Sequence, residues 1–73
     1  MAQEHWRRLS SVVRSRIRRQ VYDRDGGRCW RCHRVTTLDG GDVDHLVEQR
    51  HDPTGNDTRD VSLMAWACRR CNR

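Results

Sequence analysis

Four cysteines are the residues in this chain whose type and spacing most clearly indicate chemistry. They form two Cys-x-x-Cys pairs, Cys29 with Cys32 and Cys68 with Cys71. The two-residue gap lets both thiolates of a pair face one ion, and four thiolates give Zn²⁺ a closed tetrahedral shell. Because a closed shell has no open position for a substrate, the spacing predicts a structural zinc site. Two disulfides, a redox-active pair and an iron–sulfur cluster are the alternatives.

The small size of the chain indicates that it needs stabilisation beyond its hydrophobic core, which the four cysteines could supply. The chain has 73 residues, of which 34% are hydrophobic, with no Phe and one Tyr. Chains this short rarely bury enough apolar surface to fold without metal, disulfides or a partner. The N-terminus lacks an apolar signal-peptide core, and no apolar run approaches membrane-spanning length. We therefore expect a cytoplasmic protein without a membrane partner, in which such cysteines bind metal.

The basic charge of the chain points to a polyanion as its partner. Fifteen basic residues, all of them arginine, stand against ten acidic ones, which leaves a formal net charge of +5. The planar guanidinium group matches the geometry of a phosphate, so we expect DNA or another nucleic acid, contacted mainly through phosphates. A merely solvated basic surface is the alternative. The candidate DNA-binding residues are Arg14, Arg18, Arg28 and Arg70.

The N-terminal segment 1–24 has the pattern of a basic amphipathic helix. Apolar residues recur every fourth position, and arginines fill much of the remaining surface. We expect the apolar stripe to pack on segment 25–73, giving one compact domain overall, with the arginines facing solvent. A free basic tail is the alternative. Ser10 or Ser11 could cap the helix start, and Asp25-Gly26-Gly27 ends the helix with residues that permit positive φ. The stripe consists of Leu9, Val13, Ile17 and Val21.

Segment 25–73 contains patterns typical of short strands and turns. The β-branched residues within 34–38 predict a strand, an Asp-Gly-Gly turn follows, and 42–47 predicts a second strand that completes a hairpin. The polar stretch 48–60 predicts a loop. The apolar run 61–66 is compatible with strand or helix, and we expect Trp30 and Trp66 to pack around the zinc site.

A second group of polar residues could form a weaker metal site. Asp44 and His45 are adjacent on the predicted second strand of the hairpin, and Asn72 directly follows the last cysteine. If zinc holds the final helix against the hairpin, Asn72 comes near Asp44. A carboxylate and an amide oxygen are hard ligands suited to Mg²⁺ or Mn²⁺ with open water positions.

These motifs together resemble the zinc-containing branch of the HNH endonucleases, which are ββα-metal (His-Me finger) nucleases. The resemblance covers about residues 17–73 and rests on three segments: RDGGRCWRC at 24–32, DHL at 44–46 and CRRCN at 68–72. It implies an α+β fold, a small zinc-stabilised ββα-metal (treble-clef-like) domain behind an N-terminal basic helix. It also implies a strand within 61–66 and a short helix starting near Cys68. Because many small family members are phage-encoded, it further implies an infected bacterial host.

The resemblance assigns roles to individual residues. His45 matches the general base that activates water against a phosphodiester bond. Asp44 and Asn72 match the ligands of a catalytic ion, which is Mg²⁺, Mn²⁺ or another divalent cation. The expected activity is nicking or cutting of DNA by segment 25–73.

The chain departs from the family pattern at the middle Asn. That Asn orients the loop carrying the catalytic His, and the matching context here contains Ser62, with Asn56 as the other candidate. This departure leaves two alternatives open: a non-catalytic zinc-stabilised nucleic-acid-binding module, and a phage packaging accessory. The possible protein partners are phage packaging proteins and a second copy of the chain.

Overall fold

The computed structural model describes residues 4–46 and 59–72, which form a small α+β arrangement of helices around a two-stranded antiparallel sheet. Short 3₁₀ turns at Leu38–Gly40 and Val61–Leu63 precede the two strands. No helix in these two ranges is both long and apolar enough to cross a membrane. The helices and strands, in chain order, are α1 (Glu4–Arg8), α2 (Ser11–Asp25), β1 (Gly41–His45), β2 (Met64–Cys68) and α3 (Arg69–Asn72).

Helix α2 begins and ends at the residues that the sequence indicates. The Ser10 hydroxyl accepts a hydrogen bond from the Val13 N–H at 3.2 Å, which satisfies a donor that has no partner within the helix. Gly26 ends the helix in the left-handed conformation, with φ 64°. Ile17 and Val21 are buried, which confirms the predicted apolar stripe.

The main core lies between α2 and the sheet. Val21 and Trp66 are fully buried, and the edge of the Tyr22 ring meets Trp66 at a centroid distance of 5.0 Å. Leu9 and Val13 are partly buried against the same cluster, so the whole stripe packs as predicted. The buried members of this core are Trp6, Ile17, Val21, Val43, Met64 and Trp66.

The predicted hairpin between 34–38 and 42–47 is wrong. Strand β1 pairs with β2 in antiparallel register, from Gly41 opposite Cys68 to His45 opposite Met64. Val35 makes only an isolated bridge with Arg28. The physical reason is that all five residues of β2 are buried. A strand with so much apolar surface pairs more favourably with β1 than the more polar 34–38 segment does.

The predicted Asp-Gly-Gly turn also has a different role. Gly41 is the first residue of β1, where a Cβ atom would lie 2.5 Å from the Ala67 carbonyl oxygen and 2.8 Å from the Trp66 ring. Only glycine allows the strands to approach this closely. The apolar run 61–66 divides between a 3₁₀ turn and β2, and the final helix starts at Arg69, close to the position that the family resemblance implies.

Arg18 joins helix α2 to the start of β1. Its Nη2 donates to the carbonyl oxygens of Leu38 at 2.9 Å and Gly41 at 3.1 Å, and its Nε donates to Asp42 at 3.1 Å. The side chain is 26% exposed. The expectation that the helix arginines face solvent is therefore wrong at Arg18, because its guanidinium satisfies backbone carbonyls of the 3₁₀ turn and of the first residue of β1.

Arg24 and Asp25 join the other end of α2 to β2. The Arg24 guanidinium donates to the carbonyl oxygens of Val61 and Met64, both at 2.7 Å, and Asp25 accepts the Trp66 N–H at 2.9 Å. The hydrogen bond from Arg24 lowers the pKa of Asp25 against the opposing effect of desolvation, and the Trp66 N–H adds to the lowering. The pair therefore ties the end of α2 to β2 and to the 3₁₀ turn that precedes it.

Candidate metal centre and the Asp44–His45 pair

The four cysteine sulfurs form one cluster at the start of β1 and the end of β2. All four lie within 4.8 Å of one another, and the sulfurs of Cys32 and Cys68 are 3.7 Å apart. A tetrahedron with Zn–S bonds of about 2.3 Å has an edge of about 3.8 Å. The cluster can therefore bind a metal ion such as zinc with little rearrangement.

Local backbone geometry brings each cysteine pair together. The His33 N–H donates to the Cys29 carbonyl at 2.9 Å, and the Cys29 N–H donates to Arg34 at 2.8 Å, which closes a tight turn around the first pair. His33 has φ 65°, a left-handed conformation that completes this turn. Cys68 ends β2, and Cys71 lies one helical turn later in α3.

The environment of the cysteines favours ionisation of some thiols over others. Burial raises the pKa of Cys29, but N–H groups of Cys32, Cys68 and Arg31 outweigh this and lower the pKa to about 6. The hydrogen bond between Cys71 and Cys68 raises the pKa of the Cys71 thiol to about 12, and burial adds to the rise. Because a metal ion binds the thiolate form, metal binding and deprotonation of Cys71 are coupled.

Asp44 faces the turn that carries the first cysteine pair. Its Oδ2 accepts a hydrogen bond from Trp30 Nε1 at 2.8 Å and lies 3.9 Å from Arg31 Nε. The side chain of Asp44 is 18% exposed. Both of these contacts, the only ones of the Asp44 carboxylate with described residues, involve Oδ2. The other oxygen, Oδ1, is therefore the one that could bind a cation.

His45 lies on the opposite face of β1, next to the main core. Residues two apart on a strand share a face, and Val43 is buried in the core on the His45 side. The Trp6 and His45 rings meet edge to face at a centroid distance of 4.9 Å, and His45 Nδ1 is buried. Asp44 and His45 therefore point to different surroundings, as expected for neighbours on a strand.

The other candidate catalytic residues are less closely associated. Asn72 is exposed on α3. This helix contacts both strands and so lies beside β1, the strand that carries Asp44. The Ser62 hydroxyl donates to Asp60 at 2.6 Å within the same 3₁₀ turn. Asn56 lies outside the described residues.

The four arginines predicted to bind DNA have different surroundings. Arg18 is engaged by the protein itself, as described above, and Arg14 lines a groove beside it. Arg28 makes one long hydrogen bond, 3.4 Å, to the His33 carbonyl. Arg70 is exposed at a cleft beside the cysteine cluster.

Sequence reasoning missed the residues that surround Asp44 and His45. Trp30 was expected to pack around the zinc site, yet it is 43% exposed and hydrogen-bonds Asp44. Trp66 belongs to the main core with Trp6. The signal for Trp30 was its place between two cysteines, which requires its side chain to project from the turn.

No family model matches this chain, and comparison with curated proteins and with solved structures likewise gives no match.

Proposed function

We propose that this protein is a metal-dependent DNA endonuclease of the HNH type, with a structural zinc ion in the cysteine cluster. The observation that carries the proposal is the element order. An Asp-His pair ends β1, β1 pairs with β2, and β2 runs through Cys68 into the helix of Asn72. This is the ββα order that the family resemblance implies, and it differs from the hairpin that residue patterns alone predict.

The structural role of zinc is supported by the donor set. Four thiolates saturate a tetrahedral ion, so this ion would hold elements together without binding substrate. It would link the turn of Cys29 and Cys32 to the junction of β2 and α3. Since Trp30 projects from that turn, zinc would also hold the hydrogen-bond donor of Asp44 in place.

The proposed chemistry assigns hydrolysis to residues outside the cysteine cluster. Asp44 and Asn72 would hold a divalent ion, Mg²⁺ or Mn²⁺, which when bound supplies charge stabilisation to a phosphate oxygen and the leaving 3′ oxygen. His45 would take the proton of the attacking water, because an imidazole is partly neutral at physiological pH. Trp6 packs on the imidazole and would limit its rotation.

The surface arginines would contact DNA through phosphates, which gives binding that depends strongly on salt. A phage origin, a role in packaging, a homodimer and a cytoplasmic location belong to the same proposal, through the family resemblance. Asn56 and Ser62 remain the candidates for the middle position of the motif. Ser62 could act there only if its hydroxyl left Asp60.

The test is nicking of supercoiled plasmid by the zinc-loaded protein with Mg²⁺ or Mn²⁺. We expect the wild type to nick, and His45→Ala and Asp44→Asn to lose nearly all activity while retaining zinc. Loss of nicking in Ser62→Ala would assign the middle position of the motif to Ser62, and retained nicking would leave it to Asn56. A wild type that binds plasmid but is inactive with every divalent ion tested would reject the nuclease and support the non-catalytic binding module.

A further inference from the structure

The arginines of the described residues fall into two groups. One group is satisfied by the protein: Arg18 and Arg24 donate to backbone carbonyls and carboxylates, and Arg19 pairs with Asp23. In the other group, the described residues provide no hydrogen-bond or ion-pair partner for the guanidinium. Arg34 and Arg70 belong to this second group and lie far apart in the sequence.

The fold brings Arg34 and Arg70 to the same cleft. The cleft lies beside the Gly41–Cys68 end of the β ladder. Arg69 also lines it, and its Nε donates to the Asp39 carbonyl at 2.8 Å. No acidic side chain from residues 4–46 or 59–72 lines this cleft. The described residues that line it are Arg34, Thr36, Gly40, Cys68, Arg69 and Arg70.

This arrangement concentrates positive charge on one concave surface. Three guanidinium groups on one concave surface repel one another, and such groups bind phosphate oxygens through paired N–H donors. The thiolates of a metal-loaded cysteine cluster would offset part of the charge, since Cys68 lines the cleft. A tetrathiolate zinc site carries a formal charge of about −2, so a positive charge remains on the cleft.

We propose that this cleft is a binding site for the phosphodiester backbone of a nucleic acid, with Arg34 and Arg70 as the principal contacts and Arg69 as a third. The site differs from the previously predicted set, because Arg18 is committed to the fold and Arg34 was not among the candidates. It does not depend on nuclease activity: the cleft adjoins Gly41, whereas Asp44 and His45 lie at the other end of β1.

The test is a binding measurement without Mg²⁺ or Mn²⁺, using zinc-loaded protein and a short fluorescent DNA duplex of arbitrary sequence. The double variant Arg34→Gln/Arg70→Gln is compared with Arg7→Gln/Arg16→Gln. Both variants remove two exposed arginines that have no partner among the described residues, so their net charges are equal. We expect the cleft variant to bind at least about tenfold more weakly and to lower the salt slope by about 2, with a much smaller effect in the control.

Two outcomes would overturn the proposal. Equal losses in the two double variants would mean that binding reflects total charge, without a site. Loss of zinc from the cleft variant, with DNA affinity unchanged once zinc is saturating, would mean that these arginines only balance the thiolates. A parallel measurement with an RNA duplex of the same sequence identifies the source of the phosphates.

Discussion

The two ends of the β ladder differ in how their functional groups are held. At the Gly41–Cys68 end, the cysteine cluster is closed by short loops and turns whose geometry is local. At the His45–Met64 end, Asp44 and His45 are held by Trp30 and Trp6, residues distant from them in sequence. Each half of the first site is specified by spacing, and the fold has only to join the two halves. The second site exists only once the helices and strands have packed.

The comparison also separates stability from chemistry. The cysteine end is suited to a saturated ion, which can contribute to folding without binding a substrate. At the opposite end, Trp30 and Arg31 contact one carboxylate oxygen of Asp44, Oδ2, and not the other. The neighbouring His45 lies on the core face of the same strand. We infer that a metal ion at the first end would contribute to stability together with the main core, and we propose that reactivity resides at the second end.

The largest expected effect is loss of the fold when the cysteine cluster is broken. In Cys68→Ser, zinc loses one of its four ligands, and zinc binding in comparable peptides is worth about 10–16 kcal/mol. Since whole domains are stable by only about 5–15 kcal/mol, the variant should show no cooperative unfolding transition. Circular dichroism and a zinc-release assay measure this.

His33→Asn is the matched control for that variant. It removes the neighbouring imidazole but keeps a residue that tolerates the positive φ of this position. We expect zinc to be retained. Loss of zinc from this control would show that His33 is a ligand and that the four-cysteine assignment is incomplete.

A smaller effect is expected from Gly41→Ala at the same end of the ladder. The new Cβ would lie 2.5 Å from the Ala67 oxygen, so the strands must separate. Overpacking of this kind costs about 1–3 kcal/mol. Gly26→Ala is the control, since its Cβ would meet nothing within 4 Å and only its φ of 64° is unfavourable, at about 1–2 kcal/mol. Urea unfolding should rank Gly41→Ala as the more damaging; the reverse ranking would contradict this strand spacing.

The smallest effect on stability, and the sharpest on function, is expected from Trp30→Phe. The ring is kept while the Nε1 donor to Asp44 is lost. Groups that orient a metal ligand typically contribute about 10- to 100-fold to metal affinity or activity. We therefore expect Mn²⁺ binding and plasmid nicking to weaken by at least about tenfold, with zinc content and unfolding nearly unchanged.

A double-mutant cycle isolates this contact from general disturbance. In an Asp44→Asn background the Trp30→Phe change should have little further effect on Mn²⁺ binding, because its target carboxylate is already gone. Additive losses would mean that Trp30 acts elsewhere, for example by packing against the Arg31 guanidinium, which lies 5.1 Å from its ring centroid.

Much of the helical framework could be predicted from the sequence. Ser10, the apolar stripe and Gly26 specify α2 through interactions within a few residues, and each acts as the pattern indicates. The two cysteine pairs were predicted for the same reason, since each needs only a short turn, whereas their meeting depends on the packing of the Cys29–Cys32 turn against the end of β2. The pairing of β1 was predicted wrongly, because the partner of a strand depends on how much apolar surface the whole strand buries. The true partner, β2, is separated from β1 by residues 46–63, so no local pattern links the two strands.

By itself the sequence determined the residues capable of chemistry: four thiols, an adjacent Asp and His, and a set of arginines. Only the tertiary structure decided their surroundings. It placed Trp30 on Asp44 and Trp6 on His45, used Arg18 and Arg24 to bind backbone carbonyls, and brought Arg34 and Arg70 to one cleft. The reason is physical: spacing constrains groups a few residues apart, whereas contacts between distant residues follow from which apolar surfaces are buried together.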